Sequence, residues 1–472
     1  MSRRLLKDSI IYTGGNIFSR GLNFIIQVTI WSNLFSPESY GQLAYCYVFI
    51  SFMAVILPFG LDAAFMNYYV RGNDKSAYLK NALFMISTLA ISFVLIASLL
   101  TEHLAPLLIR QDSGKLLFIS LGILFFDIIN NQGLLYLRAE GRALFSVILQ
   151  NIEILVKLSL LLLLVSTLST DIQYILWANL GSSGLIFIIF LFILLPRIKG
   201  AHISKAVLKE LLIFGFPFLI SGLLDRTIEL ADRRMLGYYL GDNATGLYVA
   251  SYTVAVLMRL LVYSFNSGWQ PYFLGKIDEE GGRAELGKIY SRTGIILVFA
   301  WFIASIWLPV LIKIPIFGKY LLHPSYWEGI KIIPIIMAAY VAMGLYFLQL
   351  PSLYYYKKTA LNAVFIGAAA LVNIILNIIL IPKLGITGAA LATLVAYCIM
   401  ALLLRLWVLN QNRSMKIDFK LLLVTGISCL LYLNIIFVET SYLVKAFITA
   451  IYVLIVFLIQ SFNGKNKKQL NN

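Results

Sequence analysis

Charged side chains interrupt an apolar stretch of this sequence, and they are the residues best suited to bind a charged ligand. The segment "LLDRTIELADRRMLG", residues 223–237, directly follows the apolar run "LLIFGFPFLISG". At 100° per residue, five of its charges fall within an arc of about 120° on one helix face. These five are Asp225, Arg226, Glu229, Asp232 and Arg233. Arg234 points away from this arc, and we expect it to lie at the outer end of the helix.

Two interpretations of this charged arc remain open. A charge in mid-membrane costs about 2.5–3.5 kcal/mol on insertion scales, so the arc must face protein or water. In the structural interpretation, Glu229 pairs with Arg233, and Arg226 pairs with Glu229. In the functional one, the arc lines a central cavity where the Arg226 guanidinium binds pyrophosphate in a bidentate way. Asp225 or Glu229 would then compensate that charge or bind a coupling ion.

The composition requires a membrane protein. Of the 472 residues, 60% are hydrophobic and 13% are charged, whereas soluble domains carry about 25% charged residues. A membrane span needs about 20 mostly apolar residues. About fourteen segments qualify, centred on 10–33, 42–66, 80–100, 116–136, 143–166, 173–195, 211–234, 245–270, 291–312, 326–350, 359–381, 386–409, 420–438 and 443–462. The short connections leave no room for a separate soluble domain.

The net charge of +16 is explained by membrane topology rather than by nucleic-acid binding. If the N-terminus is cytoplasmic, most of the 38 lysine and arginine residues fall in loops on the cytoplasmic side. Such a bias orients multi-pass proteins. We therefore expect both termini to be cytoplasmic and expect no nucleic-acid partner.

An internal repeat relates the two halves of the chain. "LFSPESYGQLAYCYVF", residues 34–49, matches "YLGDNATGLYVASYTV", residues 239–254, with Gly41 on Gly246. "LYLRAEGRALFSVI", residues 135–148, matches "LYYYKKTALNAVFI", residues 353–366. Six spans per copy give both copies the same orientation, an arrangement found in transporters. The repeat predicts an all-α membrane protein with two pseudo-symmetric six-helix bundles (1–200 and 201–412), then two further helices and a basic cytoplasmic tail (413–472).

Two further cations in predicted spans join the candidate substrate-binding residues. The repeat places Arg20 at the depth of Asp225, so Arg20 and Arg226 can face each other across a cavity. Arg259 has no obvious local carboxylate, and its structural and functional interpretations are equally supported.

Three remaining charges within spans each have two candidate roles. Lys157 lies one turn after Glu153, which favours a local ion pair over a substrate contact. Asp62 and Asp127 are single acids in two spans, and each is either an ion site or a polar contact between helices. The sequence does not decide between these two roles.

The sequence contains no complete motif for catalysis or cofactor binding. "GGRAELGK", residues 281–288, has the spacing of a phosphate-binding loop, but Ile289 replaces the hydroxyl residue that would hold magnesium. The three histidines are scattered, and the three cysteines lie in apolar runs. We expect no catalytic residue, no metal and no cofactor, and therefore a protein that is not an enzyme.

Three segments resemble one known family. They are "GGNIFSRGLNFIIQVTIWSNLFSPESYGQLAY" (14–45), "GFPFLISGLLDRTIELADRRMLGYYLG" (215–241) and "VNIILNIILIPKLGITGAALATLVAY" (372–397). They resemble the polysaccharide (O-antigen or capsule repeat-unit) flippases of the multidrug/oligosaccharidyl-lipid/polysaccharide exporter superfamily. In the last segment we expect Pro382 to stop a helix and the small residues 388–390 to allow close helix packing. The charges Asp225, Arg226 and Glu229 are less typical of this family.

The resemblance implies two six-helix bundles around a central cavity in the bacterial cytoplasmic (inner) membrane. It also implies alternating access for an undecaprenyl-pyrophosphate-linked oligosaccharide, with the lipid bilayer, a polysaccharide polymerase and chain-length machinery as partners. Alternatives are a cation-coupled multidrug exporter of the same superfamily and a flippase for the peptidoglycan lipid precursor. A membrane glycan polymerase or ligase would need a large external loop, and the loops here are short. The buried cations favour an anionic substrate, but no residue identifies the sugar.

Overall fold

The computed structural model describes residues 15, 18–72, 74–110, 114–316, 318–411, 418–437 and 441–468. The chain forms two compact units. The first unit comprises Met1–Val254, Leu322–Gly329 and Ala370–Ala389, and the second comprises Ala255–Leu321, Ile330–Ala369 and Ala390–Asn472. The start of the first predicted span, residues 10–14, 16 and 17, and the end of the C-terminal tail lie outside the described residues.

The described chain is almost entirely helical. The helices up to residue 276 are α1 (18–34), α2 (Pro37–Ile56), α3 (Leu61–Arg71), α4 (Lys75–Leu99), α5 (Thr101–Ile109), α6 (Gly114–Ala139), α7 (Ala143–Thr167), α8 (Gln173–Leu194) and α9 (Lys205–Lys276). The later helices are α10 (Gly282–Leu311), α11 (Ile333–Gln349), α12 (Pro351–Tyr355), α13 (Ala360–Leu384), α14 (Ile386–Leu409), α15 (Phe419–Phe437) and α16 (Tyr442–Lys468). Short 3-10 helices span Leu195–Ile198 and Pro324–Ile332, and one two-stranded antiparallel hairpin pairs Pro315–Ile316 (β1) with Lys319–Tyr320 (β2).

The expected all-α membrane fold is confirmed. Within the described ranges, eleven helices are long and apolar enough to cross a membrane. One of them, α9, consists of two helices that meet at a kink at Gly241, where φ is 84° and ψ is −177°. It therefore supplies both the seventh and the eighth predicted spans, and the break expected between 234 and 245 lies at Gly241. Together with α1 and the shorter apolar helix Phe419–Leu433, these helices account for the predicted spans.

The second predicted span, 42–66, is divided into α2 and α3. Phe59 and Gly60 between them have positive φ values of 55° and 71°. A Cβ atom on Gly60 would lie 2.0 Å from the carbonyl oxygen of Gly215 on α9. Glycine thus permits both the left-handed backbone and the close approach of α9.

The segment that resembles the flippase family most specifically forms the α13–α14 hairpin. The expected helix stop at Pro382 is wrong, because α13 continues to Leu384. The turn comes instead at Gly385, with φ of 61°. A Cβ atom on Gly388 would lie 2.3 Å from the carbonyl oxygen of Leu380. The small residues therefore do permit close packing at this turn, as expected.

Aligned glycines of the internal repeat pack against each other's helices in the first unit. A Cβ atom on Gly41 would lie 2.0 Å from the carbonyl oxygen of Asp242. A Cβ atom on Gly246 would lie 1.7 Å from the carbonyl oxygen of Pro37. The backbones of α2 and α9 therefore meet at a contact that only glycine fits on either side.

Backbone irregularity in α1 coincides with contacts from later parts of the chain. Ile26–Trp31 is π-helical, a geometry that often marks functional sites. Just beyond it, the Tyr326 hydroxyl donates a hydrogen bond to the carbonyl of Phe35 at 2.7 Å. The backbone N–H of His323 lies 3.3 Å from the hydroxyl of Ser32. The segment Leu322–Gly329 thus completes the packing around the end of α1.

Candidate functional site

A polar cavity of about 640 Å³ lies in the first unit, between α1, α6 and α7. We call it the Arg20 cavity. Its lining residues are Ser19, Arg20, Asn23, Leu134, Arg138, Gln150, Glu153, Ile154 and Lys157. The helix spacing accounts for the lining, because residues three or four apart share one helix face. Examples are Gln150, Glu153 and Lys157 on α7 and Leu134 with Arg138 on α6.

The cavity lining carries more positive than negative charge. Arg20, Arg138 and Lys157 are cations, and Glu153 is the one acid among the lining residues. Arg20 and Arg138 are both exposed, so their guanidinium groups are accessible to a ligand. The structure thus brings together Arg20 and Lys157, two of the cations that the sequence singled out.

A network of two acids, a serine and a lysine lies beside the cavity. The Ser183 hydroxyl is 2.6 Å from Asp127 Oδ1 and 3.3 Å from Glu153 Oε1. Lys157 interacts electrostatically with both acids. The expected Glu153–Lys157 ion pair is wrong as a direct contact, because among the described residues no carboxylate lies within 4.0 Å of the Lys157 ammonium group. The carboxylate of Glu153 is held by α8 instead.

The charged arc of α9 follows the structural interpretation in one of its two expected pairs. Arg226 Nη1 lies 2.9 Å from Glu229 Oε2, with side chains 39% and 9% exposed. The Arg233 guanidinium lies over the Tyr252 ring, 5.4 Å from its centre, and its expected pairing with Glu229 stays a prediction. Asp225 is half-buried. None of these residues is among those that line the Arg20 cavity, and their roles in substrate or ion binding stay predictions.

Asp232 is the most deeply buried member of the arc. It is fully buried and accepts hydrogen bonds from the Tyr248 hydroxyl and, at 2.8 Å, from the backbone N–H of Arg233. Both donors lie on α9, so this part of the helix satisfies the carboxylate locally. A role for Asp232 in ion coupling stays a prediction.

Removal of the Tyr248 hydroxyl should destabilise the first unit. Tyr248→Phe leaves the buried Asp232 carboxylate without one donor, and we expect a cost of about 1–3 kcal/mol in unfolding free energy. Tyr47→Phe is the matched control, since the buried Tyr47 hydroxyl has no partner among the described residues. Thermal unfolding in detergent should show a lower Tm for Tyr248→Phe alone. Equal Tm values for the two variants would contradict the importance of this bond.

The two single acids in the early spans bind to neighbouring helices. Asp62, in the first turn of α3, accepts a hydrogen bond from the Asn131 side chain at 2.7 Å. Asp127 accepts its bond from Ser183 on α8. Both acids thus act at least as polar contacts between helices, and ion binding by either stays a prediction.

Arg259 lies in the second unit. Its guanidinium carbon is 5.2 Å from the centre of the Tyr263 ring, and Tyr340 and Tyr397 are electrostatic neighbours. The side chain is half-buried. Aromatic rings therefore surround this cation, and its role in substrate binding stays a prediction.

The sequence pattern does not single out Arg138 as a site residue, because it adjoins a basic loop where membrane topology already accounts for positive charge. Helical geometry offered a signal. Arg138 follows Asp127 by eleven residues, which places the two about 20° apart on α6 at 100° per residue. The polar residues Asn23 and Gln150 were also missed, and no comparable signal identifies them.

Apolar spanning helices and a cationic cavity between three of them are features found in membrane transporters, and solved transporters have the same fold. A "multidrug resistance MATE family transporter of the MOP superfamily" in its inward-facing conformation is 14% identical, with a TM-score of 0.67 over 82% of this chain and 93% of that one. "Lipid II flippase MurJ", in an inward closed conformation, is 18% identical, with a TM-score of 0.72 over 96% and 99%.

A MOP superfamily transporter from Pyrococcus furiosus, described as having a binding pocket of reverse polarity, is 15% identical, with a TM-score of 0.60 over 86% of this chain and 93% of that one. No curated protein matches the sequence significantly. The chain belongs to the polysaccharide biosynthesis protein family, whose model matches residues 5–275. Its fold is that of the MOP superfamily transporters, as the sequence resemblance indicated.

Proposed function

We propose that this transporter flips an undecaprenyl-pyrophosphate-linked oligosaccharide repeat unit across the bacterial cytoplasmic membrane for the synthesis of O-antigen, capsule or exopolysaccharide. The observation that carries the proposal is the charge of the Arg20 cavity, where Arg20, Arg138 and Lys157 meet one acid, Glu153. A diphosphate is strongly anionic, and it needs cations wherever it leaves water. Guanidinium groups bind phosphate oxygens in a bidentate way, which suits this ligand.

The rest of the lining suits the sugar attached to the diphosphate. Ser19, Asn23 and Gln150 supply hydroxyl and amide groups, which can donate to and accept from sugar hydroxyls. A volume of about 640 Å³ lies within the range of about 300–1,000 Å³ for small-molecule sites. It is large enough for a diphosphate and part of an oligosaccharide, while the polyprenyl chain stays in the lipid.

Competing substrates differ in how well they fit this charge. A cationic drug would be repelled by two exposed arginines and would favour an anionic cavity. A peptidoglycan lipid precursor carries the same diphosphate chemistry and fits the cations equally well. Family membership favours a surface polysaccharide over the peptidoglycan precursor.

In the proposed setting, both termini are cytoplasmic, and the cycle is one of alternating access between two bundles, 1–200 and 201–412. Arg226 and Arg259 would contact the anion at other stages, and Asp225, Glu229, Asp232, Asp62 and Asp127 are candidate acids for ion coupling. A polysaccharide polymerase and chain-length machinery would receive the flipped repeat unit. The final segment, 413–472, is an addition to the repeated halves.

The first experiment measures lipid-linked oligosaccharides in host cells that lack this gene. We expect an undecaprenyl-pyrophosphate glycan to accumulate on the cytoplasmic face, with loss of one surface polysaccharide. Analysis of the accumulated lipid by mass spectrometry identifies the cargo. An unchanged pool with intact surface glycan and new sensitivity to cationic drugs would overturn the proposal in favour of the exporter.

A further inference from the structure

A second group of positive charges lies in the first unit, where α5 ends beside α9. Arg110 follows the last residue of α5 with a left-handed φ of 56°, and its guanidinium carbon is 5.7 Å from the centre of the Tyr45 ring. Arg234 on α9 donates a hydrogen bond to the carbonyl of Leu107 on α5. The two guanidinium groups interact electrostatically with each other. Two like charges are therefore held together here.

Nearby protein groups satisfy these arginines only in part. Nε of Arg110 and Nη1 of Arg234 are buried and have no hydrogen-bond partner among the described residues. No described carboxylate lies within 4.0 Å of either guanidinium group. The Tyr45 hydroxyl is already engaged, at 3.0 Å from both Asp242 Oδ1 and Thr245 Oγ1. Buried donors without a partner are costly, so this site calls for an acceptor from outside the protein.

The carbonyl groups at the end of α5 neutralise part of the positive charge of Arg110 and Arg234, but not all of it. A helix C-terminus carries about half a negative charge, spread over its last carbonyl groups. Arg234 uses the Leu107 carbonyl in this way. One such half charge does not balance two guanidinium groups, and a phosphoryl anion would.

The arginine pair and the Arg20 cavity lie toward opposite membrane surfaces. Arg234 is 29 residues beyond Lys205 on α9, which is about 44 Å at 1.5 Å per residue, compared with about 30 Å of hydrocarbon. Arg138, at the cavity, is separated from Lys205 by two spanning helices, α7 and α8. An even number of crossings returns the chain to the same surface. The arginine pair is thus at the surface remote from Arg138.

We propose that Arg110 and Arg234 form a binding site for the phosphoryl group of a membrane lipid at the surface opposite the Arg20 cavity. The diphosphate of a carried polyprenyl lipid and the phosphodiester of a phospholipid share this chemistry. If the ligand is the carried polyprenyl diphosphate, the inference rests on the proposed function, and the site receives the head group after it has crossed the membrane. If the ligand is a phospholipid, the site anchors a neighbouring lipid whatever the transporter carries.

The test measures binding to the full-length protein in neutral maltoside micelles by titration calorimetry. The probes are farnesyl diphosphate and a short-chain phosphatidylglycerol. We expect the double variant Arg110→Gln with Arg234→Gln to raise the Kd for the bound probe at one class of sites by at least about tenfold, because it removes two strong charge-assisted hydrogen bonds. Lys319→Gln removes an exposed cation elsewhere and should leave binding unchanged. A site for the diphosphate alone indicates the carrier, whereas a site that also takes phosphatidylglycerol indicates a phospholipid.

A second pair of variants keeps the test independent of folding and of the proposed function. Arg110→Lys with Arg234→Lys preserves charge but removes the bidentate geometry, and we expect binding of intermediate strength. Arg20→Gln with Arg138→Gln should abolish the cavity site and leave the Arg110–Arg234 site intact. Loss of all binding in the cavity variant would overturn the second site while sparing the proposed function. A wild-type protein without binding at this end would also overturn it.

Discussion

Transport should fall at least about a hundredfold when Arg20→Ala and Arg138→Ala are combined. Both guanidinium groups line the same cavity, and hydrogen bonds to charged groups contribute about 1.5–3 kcal/mol each. The loss of two such contacts to a diphosphate accounts for the expected decrease. The measurement is the flipping rate of a fluorescent polyprenyl-diphosphate sugar in proteoliposomes that contain equal amounts of each variant.

Two controls separate loss of binding from loss of structure. Arg142→Ala removes an exposed arginine from the start of the next helix, outside the cavity lining, and it should transport at the wild-type rate. Arg20→Lys with Arg138→Lys should recover part of the activity, because the charge is retained without the planar guanidinium. Full transport by the double alanine variant, with normal insertion, would refute the role of the cavity.

Gly246→Ala should destabilise the protein by at least about 3 kcal/mol, the upper range for overpacking a tightly packed site. The added methyl group would lie 1.7 Å from a backbone carbonyl oxygen of Pro37, and backbone cannot move aside as a flexible side chain can. Gly41→Ala should have a similar effect through Asp242. Thermal unfolding in detergent, followed by size-exclusion fluorescence, measures the change in Tm.

Gly426→Ala is the matched control for this effect. Gly426 also lies within a helix, but a Cβ atom there would meet nothing within 4 Å, so helix propensity alone predicts equal or slightly higher stability. Gly41→Ala combined with Gly246→Ala should cost less than the sum of the single changes, because both separate the same two helices. A wild-type Tm for Gly246→Ala would show that the helices do not meet at this contact.

Most of the fold could be predicted from the sequence, because long apolar runs are costly anywhere except in the membrane. What the apolar pattern cannot give is where a helix bends. The division near Gly60 depends on the carbonyl of Gly215, which is distant in sequence. The segment "GDNATG" does carry a turn signal, but the sequence does not show that the chain changes direction at Gly241 alone, where the two helices of α9 meet at a kink.

The candidate site was predictable as a list of charges but not as an arrangement. Arg20 and Lys157 stood out because each is a cation in an apolar span, yet no pattern shows that α1 and α7 share a cavity. Arg138 has the opposite difficulty, since a cation near a loop serves membrane topology and ligand binding equally well. Glu153 seemed committed to Lys157 by spacing alone, and only the packing of α8 reveals Ser183 as its partner.

The order in which ribosomes make this chain has a consequence for how its first unit is completed. Tyr326 bonds to the carbonyl of Phe35, and the first unit also includes Ala370–Ala389. At about 5–20 residues per second, Tyr326 is synthesised roughly 15–60 s after Phe35. Throughout that interval the early helices must remain in the bilayer as an unfinished bundle. Membrane insertion of the early helices of the first unit is therefore separated in time from its final folding, and a truncated chain that ends before residue 322 cannot reach the native packing around α1.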